Sequence, residues 1–152
     1  MRPMDQRDEL AERERTSWEA FLAEVEAVPQ ERLETEGVVP GWSVKDIVWH
    51  CAGWARFAAD HLESIGVGTF RDPFEGVPDS HWDAVSQEMI DESRDMTFDE
   101  VRSRAEEARE RVRGVLSSLP TVDELATQWF SDETFDHYDE HALEIRAFRD
   151  RG

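Results

Sequence analysis

One cysteine, Cys51, occurs in 152 residues, so no disulfide can form within the chain, and a reducing, cytoplasmic compartment is the expectation. No stretch approaches the roughly 18 apolar residues of a membrane span. The opening segment Met1-Arg2-Pro3-Met4-Asp5-Gln6 lacks the apolar core of a secretory leader. Basic residues are scarce as well: 17 Lys and Arg stand against 36 Asp and Glu, a formal net charge of −19. Phosphate neutralisation needs clustered positive charge, so neither nucleic acid nor a membrane is expected as a partner. There is no glycine-rich phosphate loop, no nucleophile elbow and no H-E-x-x-H pattern. Strand-like alternation of apolar and polar residues is missing too.

What is present suffices for one ordinary domain spanning residues 1–152. Six Trp and eight Phe supply large apolar surfaces, and 39% of the chain is hydrophobic. The acid excess is uneven. Residues 99–113 balance five acids with five arginines, and Glu100/Arg104 and Glu107/Arg111 have the i,i+4 spacing of helical ion pairs. Residues 123–140 hold seven acids and no basic residue.

Periodicity predicts four long helices. Leu10, Trp18, Phe21, Leu22, Val25 and Val28 place the first over about 5–28, stopped by Pro29. Ser43 and Asp46 form a capping-box variant, with Trp42 and Ile47 as a hydrophobic staple, and open a second helix that runs to about Ser64. Three glycines and two prolines make residues 66–80 a loop, and a short helix over 81–93 follows Ser80. Thr97 with Glu100 caps a third long helix that ends at Pro120. The fourth is expected to start after Ser131, with Asp132 and Glu133 in its first turn, and to reach about Phe148. Amphipathic helices with one long crossover at residues 65–97 read as an all-α four-helix bundle, with an extra short helix in that crossover.

Three histidines carry the chemistry. His137 and His141 are four residues apart, hence on one helical face with Cβ atoms about 6 Å apart, so both imidazoles can meet one ion. His50 falls at the flank of the apolar stripe of the second helix. It lies about 9 Å from that helix's start, against about 8 and 14 Å for the other two in theirs, which permits convergence in either topology. Neutral imidazoles suit Zn²⁺, Ni²⁺ or Fe²⁺ and leave coordination positions open. The competing reading makes each histidine a hydrogen-bonded core residue. His61 lies about 16 Å along the helix from His50 and cannot share an ion with it. His81 reads as a surface or cap residue and Cys51 as buried filler, without the basic neighbour of an activated thiol. Trp54 and Tyr138 are the expected pocket lining. Glu140, beside His141, points elsewhere on the helix, and no catalytic residue is identified.

The segment from Gly41 through Trp54, Gly-Trp-Ser-Val-Lys-Asp-Ile-Val-Trp-His-Cys-Ala-Gly-Trp, resembles the W-S-x-K-D-x-x-x-H-x-x-x-W signature of the DinB/YfiT-like superfamily. His137-Tyr138-Asp139-Glu140-His141 resembles its closing H-x-x-x-H helix. From Asp83 to Pro120 the chain is most similar to the DfsB/ClbS-type branch. The resemblance implies a four-helix bundle with a divalent metal on His50, His137 and His141. Relatives include transferases and isomerases that use low-molecular-weight thiols, and a hydrolase that protects DNA from a genotoxin. Some members of the branch lack the full histidine triad, which this chain keeps. Relatives often pair, so the resemblance makes a homodimer an expectation.

Two functions follow. One is a metal-dependent enzyme acting on a small molecule, either as a hydrolase or as a thiol-dependent transferase or isomerase. The other is non-catalytic binding or sequestration of a small molecule in the bundle core. The acidic surface also has two readings, a simple solvated surface or adaptation to a salt-rich cytoplasm. A melting curve against salt separates them. The first predicts no rise in Tm between low and molar salt, and the second predicts a clear one.

Overall fold

Side-chain caps open α-helices at Asp5, Ser43, Thr97 and Asp123. The structure is a computed structural model that describes residues 5–152; residues 1–4, read in the sequence as lacking a leader core, lie outside the described residues. Asp5 accepts from the backbone N–H of Asp8 to open α1, Gln6–Glu26. After a single 3₁₀ turn, Gln30–Arg32, the capping box of Ser43 and Asp46 opens α2, Val44–Val67. Gly68 ends α2 in the left-handed region, φ 78°, where a side chain would be strained. The crossover contains α3, Asp79–Glu92, and the capping box of Thr97 and Glu100 starts α4, Phe98–Ser118. Two further helices complete the chain, α5, Glu124–Glu133, and α6, Phe135–Arg151. No helix among the described residues is long and apolar enough to cross a membrane.

The fold is an all-helical four-helix bundle of α1, α2, α4 and α6, in which α2 lies mainly against α4 and α1 mainly against α6. The α5 helix wedges between α2 and α6, and α3 lies on the outside of α2. Fourteen residues of α2 are buried, among them Ile47, Ala55, Ala58 and Leu62, so it is the central helix. Burying a large aliphatic side chain such as Ile47 or Leu62 contributes about 1.5–3 kcal/mol. Gly53 lets α3 approach, since a Cβ there would stand 2.6 Å from Met89 Sδ.

Two expectations need correction. The fourth long helix does not begin after Ser131. Asp132 and Glu133 end α5, whose N-cap is Asp123, and the axis breaks at Thr134 (φ −115°, ψ −96°). The Thr134 hydroxyl donates to the Phe130 carbonyl at 2.6 Å, which satisfies that carbonyl across the break. The break lets Phe130 before it and Phe135 after it both enter the core. Nor does Arg111 pair within its own helix. Its guanidinium reaches Asp60 at 2.6 Å and Glu63 at 3.1 Å, bridging α4 to α2.

One buried carboxylate joins three helices. Glu14 of α1 is fully buried and accepts from Arg109 Nε and Nη2 at 2.9 and 2.6 Å. It also accepts from Arg113 Nη1 at 2.8 Å and from the Tyr138 hydroxyl at 3.3 Å. Removing one partner of such a cluster leaves uncompensated buried charge, which costs about 3–5 kcal/mol. Glu14→Ala should therefore lower the urea midpoint by that equivalent, whereas Glu12→Ala, at an exposed ion-pair partner on the same helix, should leave the midpoint nearly unchanged.

Candidate metal centre

His50 lies in the second turn of α2, directed by the Ser43 cap and packed beneath Trp42, whose ring centroid is 4.9 Å away. His137 and His141 occupy successive turns at the start of α6. Because α6 begins at Phe135, these histidines lie about 3 and 9 Å into their helix rather than 8 and 14 Å. Convergence survives because the rotation of α6, more than its length, aims both rings at α2.

The structure brings the three imidazoles together. His137 Nε2 is 2.9 Å from His50 Nε2 and 3.0 Å from His141 Nε2, and the candidate ligand atoms of all three lie within 4.8 Å of one another. His50 and His141 are each 7% exposed and His137 is partly buried. Burial, with a smaller contribution from His141, pushes the pKa of His50 down to about 3. Burial, then the other two rings, holds His137 well below the ordinary value. Both imidazoles are therefore neutral at pH 7, the form that ligates a cation.

The donor set fits a divalent metal better than it fits hydrogen bonding. Two nitrogens on a common ion at about 2.0–2.1 Å, at angles from square to tetrahedral, lie about 2.9–3.4 Å apart. Hydrogen bonding among the rings leaves Nδ1 of His50 and of His137 buried with no partner. His141 Nδ1 has Glu144 Oε1 at 2.9 Å, but off the N–H direction, so this is a close approach rather than an aligned hydrogen bond. No sequence pattern flagged Glu144, although its i,i+3 spacing from His141 would have done so.

The other expected residues separate cleanly. Trp54 stands by the site, its ring 6.4 Å from His50. Tyr138 does not line it: the ring is 1% exposed, packs on Trp18 at 5.0 Å and turns its hydroxyl to Glu14. One residue on from His137 is about 100° around the helix, which carries Tyr138 into the core between α1 and α4. Cys51 is buried, and burial, followed by Glu144, Glu140 and Glu133, pushes its thiol pKa far up, as filler requires. Glu140 is exposed. His61 stacks on Trp129 at 4.6 Å and hydrogen-bonds the Phe57 carbonyl, while His81 is exposed against Trp82.

This bundle with a histidine cluster at the α2/α6 contact defines a DinB/YfiT-like protein. Residues 14–138 match the Mycothiol maleylpyruvate isomerase N-terminal domain family, and the chain belongs to that family. His141 lies past the matched stretch. No curated protein matches the sequence. Among solved structures, DfsB, a sibling lethal factor precursor, superposes with a TM-score of 0.78 at 12% identity over 98% of both chains. The colibactin self-resistance protein ClbS, in complex with a dsDNA, gives 0.77 at 14% identity over 95% of both. An uncharacterised protein from Escherichia coli UTI89 gives 0.77 at 16% identity, over 95% of this chain and 93% of its own. These likenesses establish the fold. The dsDNA seen with ClbS runs against the charge-based expectation of no nucleic acid partner, and it is a property of that protein.

Sequence reasoning missed Glu133, the last residue of α5. Burial first, and the neighbouring Asp132 second, push its carboxyl up to about 7. The folded state thus holds more protons than the unfolded state between about pH 4.5 and 7, so this residue's contribution is full below that window and is lost as pH rises through it. Allowing for its partial exposure, Glu133→Gln should stabilise the protein by about 1–3 kcal/mol at pH 8 and leave it unchanged near pH 4, as read by urea unfolding. An unchanged pH slope would contradict this assignment.

Proposed function

We propose that this chain, as one DinB-like domain, is a divalent-metal-dependent enzyme acting on a small molecule, with His50, His137 and His141 as the protein ligands. The observation that carries the reading is the convergence of three imidazoles, with Nδ1 of His50 and of His137 buried and otherwise unpartnered. An ion held there would supply Lewis acidity, lowering the pKa of a bound water or thiol while keeping positions open for substrate. The family description names a mycothiol-dependent isomerase, which favours thiol-dependent transfer or isomerisation over hydrolysis.

The chain's own residues bind and orient. The α2 cap and the Trp42 ring fix His50, and the Tyr138–Glu14 contact fixes the rotation of the helix bearing the other two. Trp54 shields one side from water. Neither Cys51, buried with its pKa raised, nor Glu140, exposed, is placed to move a proton at the site. That scarcity is what favours the second reading, a protein that binds its small molecule without transforming it.

Untagged protein should carry about one zinc, nickel or iron per chain by elemental analysis, and His137→Ala should lose it while remaining folded. At a hundredfold excess over Kd, metal should stabilise the native protein by about 2.7 kcal/mol and leave the variant unmoved. A metal-free protein whose melting ignores added Zn²⁺ and Ni²⁺ would overturn the centre.

A further inference from the structure

Positions 50, 54, 57 and 61 follow one another at helical spacing, so His50, Trp54, Phe57 and His61 form a single stripe along α2. The far half of this stripe is covered by residues that the metal centre does not use. Trp129 of α5 is stacked between His61, 4.6 Å away at 9°, and Phe74, 5.6 Å away at 14°. Phe70 meets the edge of the same indole at 5.8 Å, and Phe57 lies 5.8 Å from it. Between the 68–78 loop and α5, Phe70, Phe74 and Trp129 wall a cavity of about 160 Å³ that opens to solvent.

Three carboxylates line the same cavity, Asp72 on the loop and Asp132 and Glu133 at the end of α5. No basic residue lines it, and none of the three acids takes part in a salt bridge among the described residues. Asp72 is engaged locally, accepting from the Phe74 N–H at 2.9 Å, which fixes the loop so that Phe74 stacks on Trp129. Glu133 has no hydrogen-bond partner among the described residues, and no cation contributes to its raised pKa.

We propose that this cavity is a binding site for a small organic ammonium ion. Its chemistry selects that class. A hard metal ion needs several oxygen ligands in close array, and these three carboxylates do not come together as such a group. A neutral apolar ligand would desolvate the partly buried Glu133 carboxylate and leave its charge uncompensated. An anion would have to be desolvated against three carboxylates, on a protein whose net charge of −19 already repels it. An alkylated ammonium carries both features the cavity asks for: positive charge for Glu133 and Asp132, and methyl or methylene surface for Phe70, Phe74 and Trp129. The site stands without the metal centre. It nevertheless lies on the order of 10 Å further along the stripe from His50, within reach of the other end of a ligand held there.

The test uses full-length protein, metal-loaded and metal-stripped, titrated with choline and with its uncharged isostere in which carbon replaces the quaternary nitrogen. Binding is followed by calorimetry and by the indole N–H resonances. Choline should bind saturably in both forms, shift the Trp129 resonance, and bind at least about tenfold tighter than the isostere. Glu133→Gln should weaken choline about tenfold without weakening the isostere. Phe74→Leu, at a residue 39% exposed, should weaken choline about threefold in a fully folded protein. Equal affinity for the two ligands, or choline binding untouched by Glu133→Gln, would overturn the proposal, as would no saturable binding below about 10 mM. Loss of metal content with choline binding intact would count against the proposed function alone.

Discussion

The Glu14 carboxylate is the interaction on which the rest of the arrangement depends. It sits with no solvent contact among helices whose surfaces are otherwise apolar, and such a charge is tolerable only when every lone pair is met. Arg109 meets it in a two-pronged fashion, with Arg113 and Tyr138 adding further donors, so α1, α4 and α6 converge on one group. Bidentate guanidinium–carboxylate pairing fixes angle as well as distance. Arg109 also lies 5.6 Å over the Trp18 ring, whose Nε1–H donates to Glu106 at 2.7 Å, so the neighbouring rotamers are held as well. Tyr138 follows His137 directly. Holding its hydroxyl on Glu14 therefore sets the rotation of α6 and turns His137 and His141 toward α2. A purely apolar contact would bury the same area with less control of that rotation.

Local rules carried most of the fold. Ser43 with Asp46 and Thr97 with Glu100 are complete capping boxes, so the starts of α2 and α4 are legible from four residues each. What was not legible is the division between α5 and α6. No proline or glycine marks Thr134, and Asp123 caps α5 without a partner at the fourth position, so the acidic run from Asp123 onward reads as loop. Packing decides the break: Phe130 and Phe135 are both buried, and one straight helix would bury a different set of residues.

The histidines were readable for a different reason. Their i,i+4 spacing survives an error in where the helix begins, because spacing depends on the residues between them and not on the helix end. The depth comparison with His50 did depend on the start of α6, and its numbers changed by about a turn. Tyr138 was misplaced because adjacency to His137 was read as nearness to the site. Glu133 escaped notice because its importance comes from burial, which has no sequence signature in an acidic stretch.

The bundle has a secured half and a costly half. Around Glu14 every buried charge is answered, and α1, α4 and α6 interlock. On the other side, Nδ1 of His50 and of His137 is buried without a partner among the described residues and burial raises the Glu133 pKa, both of which lower stability for no structural return. Over that side lies α3, with only Ile90 buried, held by Met89 against Gly53 and by Trp82 against Trp54 and Phe57. A cover with so little core of its own can lift at a fraction of the cost of global unfolding. Unsatisfied polar groups are what a ligand-binding site requires, since the ligand supplies the missing partners. The rigidity that Glu14 gives to one side is what allows the other to remain unsatisfied without unfolding.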